Sequence, residues 1–450
     1  MMGKPKQDIE DINFILNEIG KFSSMTPEDI GTHIKQPPFD MLYTINLAAD
    51  KHIPIGHEAA LRFNKIAKRH CELHKYNDID VLALEREIEN EFAKTFIEDK
   101  RPNEKKFIDR MLNRAVKATQ NNHKTNTHYL PCVITRQGKP SEFRIGPVRF
   151  LTTDKFFKDF GAKFEKDYTS YGITGRTIIT KIYDYYKSFI WVAEVTVPLC
   201  DNKISEERAL QVVQGALDVL KLCFPHNHSH DLRMGYHHSN SEDTAKITRT
   251  SDGMFHPGVG WHGYGVPTNP MWFNDIMSNN KWYLDCAGNA IESYLKPESK
   301  SENLDRWLRA LYWYGQAVSD DLPGVQLVKY VAALECLTVT PSDGIEDVTD
   351  IVTRRTALLI AQAHKDDVFE KTYANARKLY RWRSDLMHGR ISPIKKDIDS
   401  IVSLAHEIVP QMMLIVLNMF WCLEMNGRNS SQDLFNEYRS LEKQLPIEGK

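Results

Sequence analysis

A chain of 450 residues, 42% hydrophobic and 26% charged, is long enough for two or three domains with ordinary cores. Its formal net charge of −2 gives no global attraction to nucleic acid, so any RNA contact has to come from a local basic patch. No apolar run approaches the ~18 residues of a membrane span, MMGKPKQDIED lacks the apolar core of a signal peptide, and seven dispersed cysteines with no C-x-x-C pair fit reduced thiols in a cytoplasm.

Residues 1–127 read as a helical region. In DIEDINFILNEI, Ile9, Ile12, Ile15 and Leu16 fall at helical spacing, and HEAALRFNKIAKRHCELH and DVLALEREIENEFAKTFIED repeat the pattern with Glu and Lys outside. Pro37-Pro38 and Pro54 are breaks. RPNEKKFIDRMLNRAVKATQ carries Lys105, Lys106, Arg110, Arg114 and Lys117 on its outer face, either a solvated face or an RNA or partner surface.

The texture changes at residue 128. YLPCVITRQG, EFRIGPVRFLTT and FIWVAEVTVPL are β-branched and aromatic with turn residues between them, which predicts strands. ISEERALQVVQGALDVLKLCF interrupts them as a helix with Leu210, Val213, Ala216, Leu217 and Leu220 on one side. LRMGY and TAKITRT add extended segments, and the Gly/Pro/Asn-rich PGVGWHGYGVPTNP reads as loop or linker. Residues 128–265 are therefore expected to form an α+β domain with a sensor or regulatory role, followed by a linker at 266–280. His226, His228, His230, His237 and His238 include zinc-like H-x-H spacings. However, PHNHSHD reads as a loop and no Cys pair completes a ligand set, so no metal is expected there.

Residues 281–427 are predicted helical, with segments near 281–295, 302–319, 323–338, 346–364, 367–387 and 395–425 separated at Pro323, Pro341, Gly389 and Pro393. In the last segment Ile398, Ile401, Val402, Ala405, Ile408, Met412 and Val416 form an apolar stripe. Gln411, Asn418 and Glu424 mark it as a buried helix face rather than a membrane span. Helices of this length with short connections make an antiparallel bundle, so the fold class is mixed and predominantly α. Residues 428–450 read as a polar tail holding one short helix. No Walker A loop, no G-x-G-x-x-G after a strand and no G-x-S-x-G elbow occurs.

The segment RSDLMHG, Arg383 to Gly389, carries the chemistry. A permanently charged guanidinium can neutralise charge on a phosphate in a transition state. An imidazole titrating near neutrality can transfer protons. RNA supplies its own nucleophile, the 2′-OH, so the pair suffices without metal or cofactor. Five residues of uninterrupted α-helix turn two side chains ~140° apart. Gly389 and Pro393, by ending the helix near His388, would free its direction. Arg377, Lys378, Arg381, Arg390, Lys395 and Lys396 surround the motif, either as a phosphate-holding field or as helix-surface cations paired with Glu370 or Asp397. Tyr380 and Trp382 suit base stacking, core or a dimer interface. Glu335, in the apolar AALECL, needs a cation, with Arg383 or Arg355 as candidates.

The order of features around this motif resembles the HEPN superfamily, and within it the Apea-like branch. Tyr312 to Tyr314 lie in an aromatic helix, Ala333, Glu335 and Leu337 in an A-x-E-x-L helix, and Arg355, Ala357 and Leu359 in an R-x-A-x-L helix. Tyr380, Arg383, Ser384, His388 and Gly389 then form Y-x-x-R-S-x(3)-H-G. The resemblance covers roughly residues 281–427. It implies a metal-independent endoribonuclease with Arg383 and His388 catalytic, Ser384 as the polar neighbour, and a homodimer gathering both pairs in one cleft. It also implies a toxin-like or phage-defence setting with a phage-derived trigger. Arg390 stands where the nucleotidyltransferase-antitoxin branch carries Tyr, which argues against that branch. A non-catalytic HEPN protein that only dimerises or holds a ligand is the rival expectation, and a metal-dependent hydrolase at the His-rich loop is a third.

Overall fold

The structure is a computed structural model that describes residues 4–26, 43–46, 52–169, 172–235, 243–249, 255–261, 265–297, 301–344, 347–364, 368–394 and 397–443. It is predominantly helical with a small antiparallel sheet region. The chain divides into two units, Met1–Asn126 with Val197–Arg208, and Thr127–Thr196 with Ala209–Lys450.

In the first unit, α1 (Lys4–Ser23), α2 (His57–His74), α3 (Val81–Phe92) and α4 (Lys105–Asn121) follow the predicted apolar periodicity. Ile12 and Ile15, Phe63 and Ile66, Leu84 and Ile88, and Met111 and Ala115 are all buried in one core. Asp80 caps α3 by accepting the Ala83 amide, and the helix runs on into a π-helical turn, Ala93–Glu98. Asp11 of α1, itself buried, accepts from Arg62 and Arg69 of α2, which fixes how these two helices register. The region is not purely helical as expected: β1 (Tyr43–Asn46) and β2 (His52–Ile55) form an antiparallel pair. Pro54 pairs within it opposite Thr44, a two-stranded setting that tolerates a missing donor. On α4, Lys105 pairs with Asp109, Lys106 with Glu104, and Arg114 with Glu91.

A five-stranded sheet of order β4–β5–β6–β3–β7, most of whose residues belong to the second unit, is formed by β3 (Lys124–Val133), β4 (Glu142–Ile145), β5 (Val148–Thr152), β6 (Trp191–Cys200) and β7 (Arg233–Met234). The predicted strands are present, with Phe143 opposite Phe150 and Phe150 opposite Ala193. Two helices inserted between β5 and β6, α5 (Thr153–Thr169) and α6 (Gly172–Lys187), were not expected. The predicted interrupting helix is α7 (Asn202–Cys223). β8 (Asp243–Arg249) pairs with β9 (Phe255–Trp261), so the first part of the Gly-rich passage is a strand and not a loop.

The linker expected at 266–280 is corrected. Helix α8 begins at Trp272 and runs to Glu292, kinked at Asn280. Trp272 is buried against Phe143, Trp191 and Phe224 and donates to the Lys139 carbonyl. Further along, Gly288 meets Gly146 so closely that a Cβ on either would lie under 3 Å from the other's backbone. Helix and sheet thus share one core, and the α+β part is not a separate domain from the bundle.

The bundle comprises α9 (Glu302–Val318), α10 (Pro323–Thr338), α11 (Val348–His364), α12 (Phe369–Met387) and α13 (Ile398–Met425), close to the predicted spans. Ser301 caps α9, and Pro323 opens α10, where its missing N–H has no helical partner to lose. α10 is central: Leu327, Tyr330, Val331, Leu334 and Leu337 are buried, and it packs against each of the other four. Among the described residues, α13 is long and apolar enough to cross a membrane, but its stripe from Ile398 to Val416 lies inside the bundle.

The short helix read in the polar tail is present, and it packs into the core. α14 (Ser431–Glu442) starts with a capping box at Ser430 and Asp433 and buries Leu434, Tyr438 and Leu441. Its Glu442 reaches Arg355 of α11, which is fully buried and also binds the Asp343 carboxylate through two nitrogens at 2.5 and 2.9 Å. The Arg355 guanidinium stacks 4.5 Å from the Tyr438 ring centroid. Apolar spacing (Leu434, Tyr438, Leu441) was the available signal, hidden by the charged residues between.

Candidate functional site

α12 presents Thr372, Ala376 and Leu379 to the core, a helical i, i+4, i+7 stripe. Arg383 is the next position on that stripe, so its side chain is half-buried and meets α10. There its Nη2 lies 3.5 Å from Glu335 Oε2. The other carboxylate oxygen accepts from the Tyr380 hydroxyl at 2.9 Å, and the Arg383 guanidinium carbon sits 5.6 Å from the Tyr380 ring centroid. Burial, with the bond to Glu335 adding to it, pushes the Tyr380 phenol up to about 12, so it remains a donor. Arg383 Nε is buried with no protein partner. The Arg383 side chain is 27% exposed, so the guanidinium pairs with one carboxylate while keeping donors for another anion.

Glu335 binds Arg383 and not Arg355, which Asp343 and Glu442 occupy. Tyr380, expected to stack bases or to line core or interface, is a clamp on Glu335. That link was missed, although Tyr380 and Arg383 stand i, i+3 on one helix face.

The helix ends where the sequence indicated. His388 is the C-cap residue, and Gly389 has φ +67. The Gly389 amide donates to the Leu386 carbonyl and the Arg390 amide to the Asp385 carbonyl, which together make a Schellman motif. Glycine supplies the left-handed conformation this motif requires. His388 keeps near-helical angles of −90° and 5°, so the helix end does not turn it toward Arg383. Its imidazole is exposed and, among the described residues, makes no hydrogen bond or ion pair. Within one chain the two side chains are not brought together.

Ser384 is half-exposed, and its carbonyl accepts the His388 amide. Arg377, Lys378 and Arg381 are exposed, and among the described residues none has an ion-pair partner, so the alternative of pairing with Glu370 or Asp397 does not hold for them. Arg390 is the exception, 3.1 Å from Asp385. Lys395 and Lys396 lie outside the described residues. Met387 and Ile394, flanking the motif, are exposed at 59% and 76%.

The stretch PHNHSHD contains a short helical turn, His226–Ser229, rather than plain loop. The His237 and His238 residues and the His226 side chain lie outside the described set, and no group of three or more metal-ligand residues is assembled among the described residues. Comparisons with family models, curated proteins and solved structures returned no match.

Proposed function

We propose that the chain is a HEPN-type, metal-independent endoribonuclease that acts as a homodimer in the cytoplasm. The observation that supports this reading best is the division of labour at the end of α12. Arg383 is held in place by Glu335 and Tyr380 with donors to spare, while His388 projects unpartnered into solvent from a rigid helix cap. Because ~140° separates them on one helix, a second copy is what would place an Arg383 opposite a His388. The exposed Met387 and Ile394 flank the motif on the surface such a pairing needs. Arg377, Lys378 and Arg381 would hold the phosphate backbone without reading sequence.

In the proposed reaction the ribose 2′-oxygen attacks the adjacent phosphorus as one His388 takes its proton. The 5′-oxygen leaves with a proton from the other His388, giving a 2′,3′-cyclic phosphate end and a 5′-OH end. Arg383 stabilises the charge on the phosphorane-like oxygens. The remainder of the chain would recognise a trigger, phage-derived in a defence setting, or restrain the nuclease. A non-catalytic dimerisation or ligand-binding protein is the second reading, and the Arg383–Glu335 ion pair favours it to the extent that the pair is purely structural.

The test is to incubate wild-type, Arg383→Ala and His388→Ala proteins with total RNA and tRNA in EDTA and to map the ends. Cleavage by the wild type alone, leaving cyclic phosphates, is expected. Undiminished cleavage by pure His388→Ala protein would overturn the mechanism.

A further inference from the structure

The first unit holds a pair of histidines that none of the chemistry above uses. His70 and His74 are four residues apart on α2, so both imidazoles stand on one face of a regular helix. Their ring centroids are 4.4 Å apart with planes inclined at 54°. The two rings line a cavity of about 260 Å³ together with Asp8 of α1, and Lys105 and Asp109 of α4. Two imidazoles at i, i+4 are a bidentate chelate for a borderline divalent metal, because one nitrogen of each can converge on an ion at ~2.0–2.1 Å.

From this juxtaposition we propose that His70 and His74 form an exchangeable site for a divalent transition metal of the zinc class, completed by water. Asp8 is held by Arg69 and Asp109 by Lys105 at 2.8 Å, so neither is counted as a ligand. That leaves two protein ligands and open positions, which makes the site exchangeable, unlike a closed structural centre.

Two features support the assignment. The intervening Cys71 is buried in the core, which keeps sulfur out of the ligand set. Nitrogen and oxygen donors then favour zinc, nickel or copper over calcium or magnesium. Tyr76 stacks on His74 at 5.5 Å and limits the motion of that ring. This inference does not depend on the ribonuclease reading.

The test is calorimetric titration of Zn²⁺ into the full-length protein after EDTA treatment and dialysis into a non-coordinating buffer. His74 is exposed, so His74→Ala should melt like the wild type in EDTA. The chain has 17 histidines, so His228→Ala/His230→Ala serves as the control for binding elsewhere. The expected result is one micromolar site in the wild type and in that control, weakened by on the order of tenfold or more in His74→Ala. The same loss is expected for His70→Ala. Equal isotherms for wild type and His74→Ala, or a loss confined to the His228/His230 variant, would overturn the proposal.

Discussion

Replacing Arg355 with methionine is the sharpest test of how the bundle is tied to its last helix. The guanidinium makes four contacts: the Thr338 carbonyl at 2.6 Å, both Asp343 oxygens at 2.5 and 2.9 Å, and Glu442 at 3.0 Å. Breaking a buried pair from one side costs about 3–5 kcal/mol because a charge is stranded. Here the stranding is partial. Asp343 Oδ2 still accepts from the Thr340 amide and hydroxyl, while Glu442 keeps Arg354 and Arg439. The loss should therefore fall at the lower end, about 3 kcal/mol, of the usual 5–15 kcal/mol of total stability. Amide exchange read by mass spectrometry should show protection in α14 falling on the order of a hundredfold. Adding Asp343→Asn should recover part of it by removing the stranded carboxylate.

The same pair carries a pH signature. Burial raises the Asp343 carboxyl, but the Arg355 and Thr340 hydrogen bonds more than offset this, leaving it below its ordinary 3.8. A depressed folded value means stability that is present above the unfolded value and lost as pH falls through the folded one. The gap between wild type and Arg355→Met should thus narrow below about pH 4. Protection in α14 that changes less than about fivefold, equivalent to ~1 kcal/mol, would refute the reasoning.

Glu335→Gln removes the charge that fixes Arg383 but keeps a group able to accept from Tyr380. On the proposed function it should lower RNA cleavage by roughly tenfold with little change in melting temperature, the loss of one positioned ion pair. Unchanged cleavage in that variant would show that Glu335 does not position Arg383. Gly389→Ala meets open space, so only the backbone penalty at φ +67 applies, about 1–2 kcal/mol; thermal melts and His388 imidazole NMR shifts would report it. Gly288→Ala, by contrast, drives a methyl group into the Gly146 backbone and should destabilise the second unit by several times as much, giving insoluble protein or a much lower melting temperature. If Arg377, Lys378 and Arg381 contact phosphates, changing all three to Gln should reduce the salt dependence of single-stranded RNA binding by about 2 in log–log slope.

Helix spans in the bundle were legible because apolar periodicity, Pro323 and Gly389 are local signals, and α9 to α13 agree with the predicted spans within a few residues. Strands β3 to β6 were legible for the same reason. Less visible were α5 and α6, whose mixed aromatic and charged residues show no clean stripe, and β9, whose glycines resemble a loop until β8 pairs with it. The linker was misjudged and the burial of the tail helix missed because Trp272 and Tyr438 become core residues only through partners far away in sequence.

For the candidate site, the sequence by itself determined the residue types, their spacing and the end of the helix at His388. Those follow from local chemistry: a guanidinium, an imidazole, and a glycine able to adopt positive φ. Only the tertiary structure decided which carboxylate holds Arg383, that Arg355 is a buried tie and not its rival for Glu335, and that His388 stays exposed at near-helical backbone angles. Partner choice depends on which helix faces lie against one another, and that is settled by packing across dozens of residues rather than by neighbours along the chain.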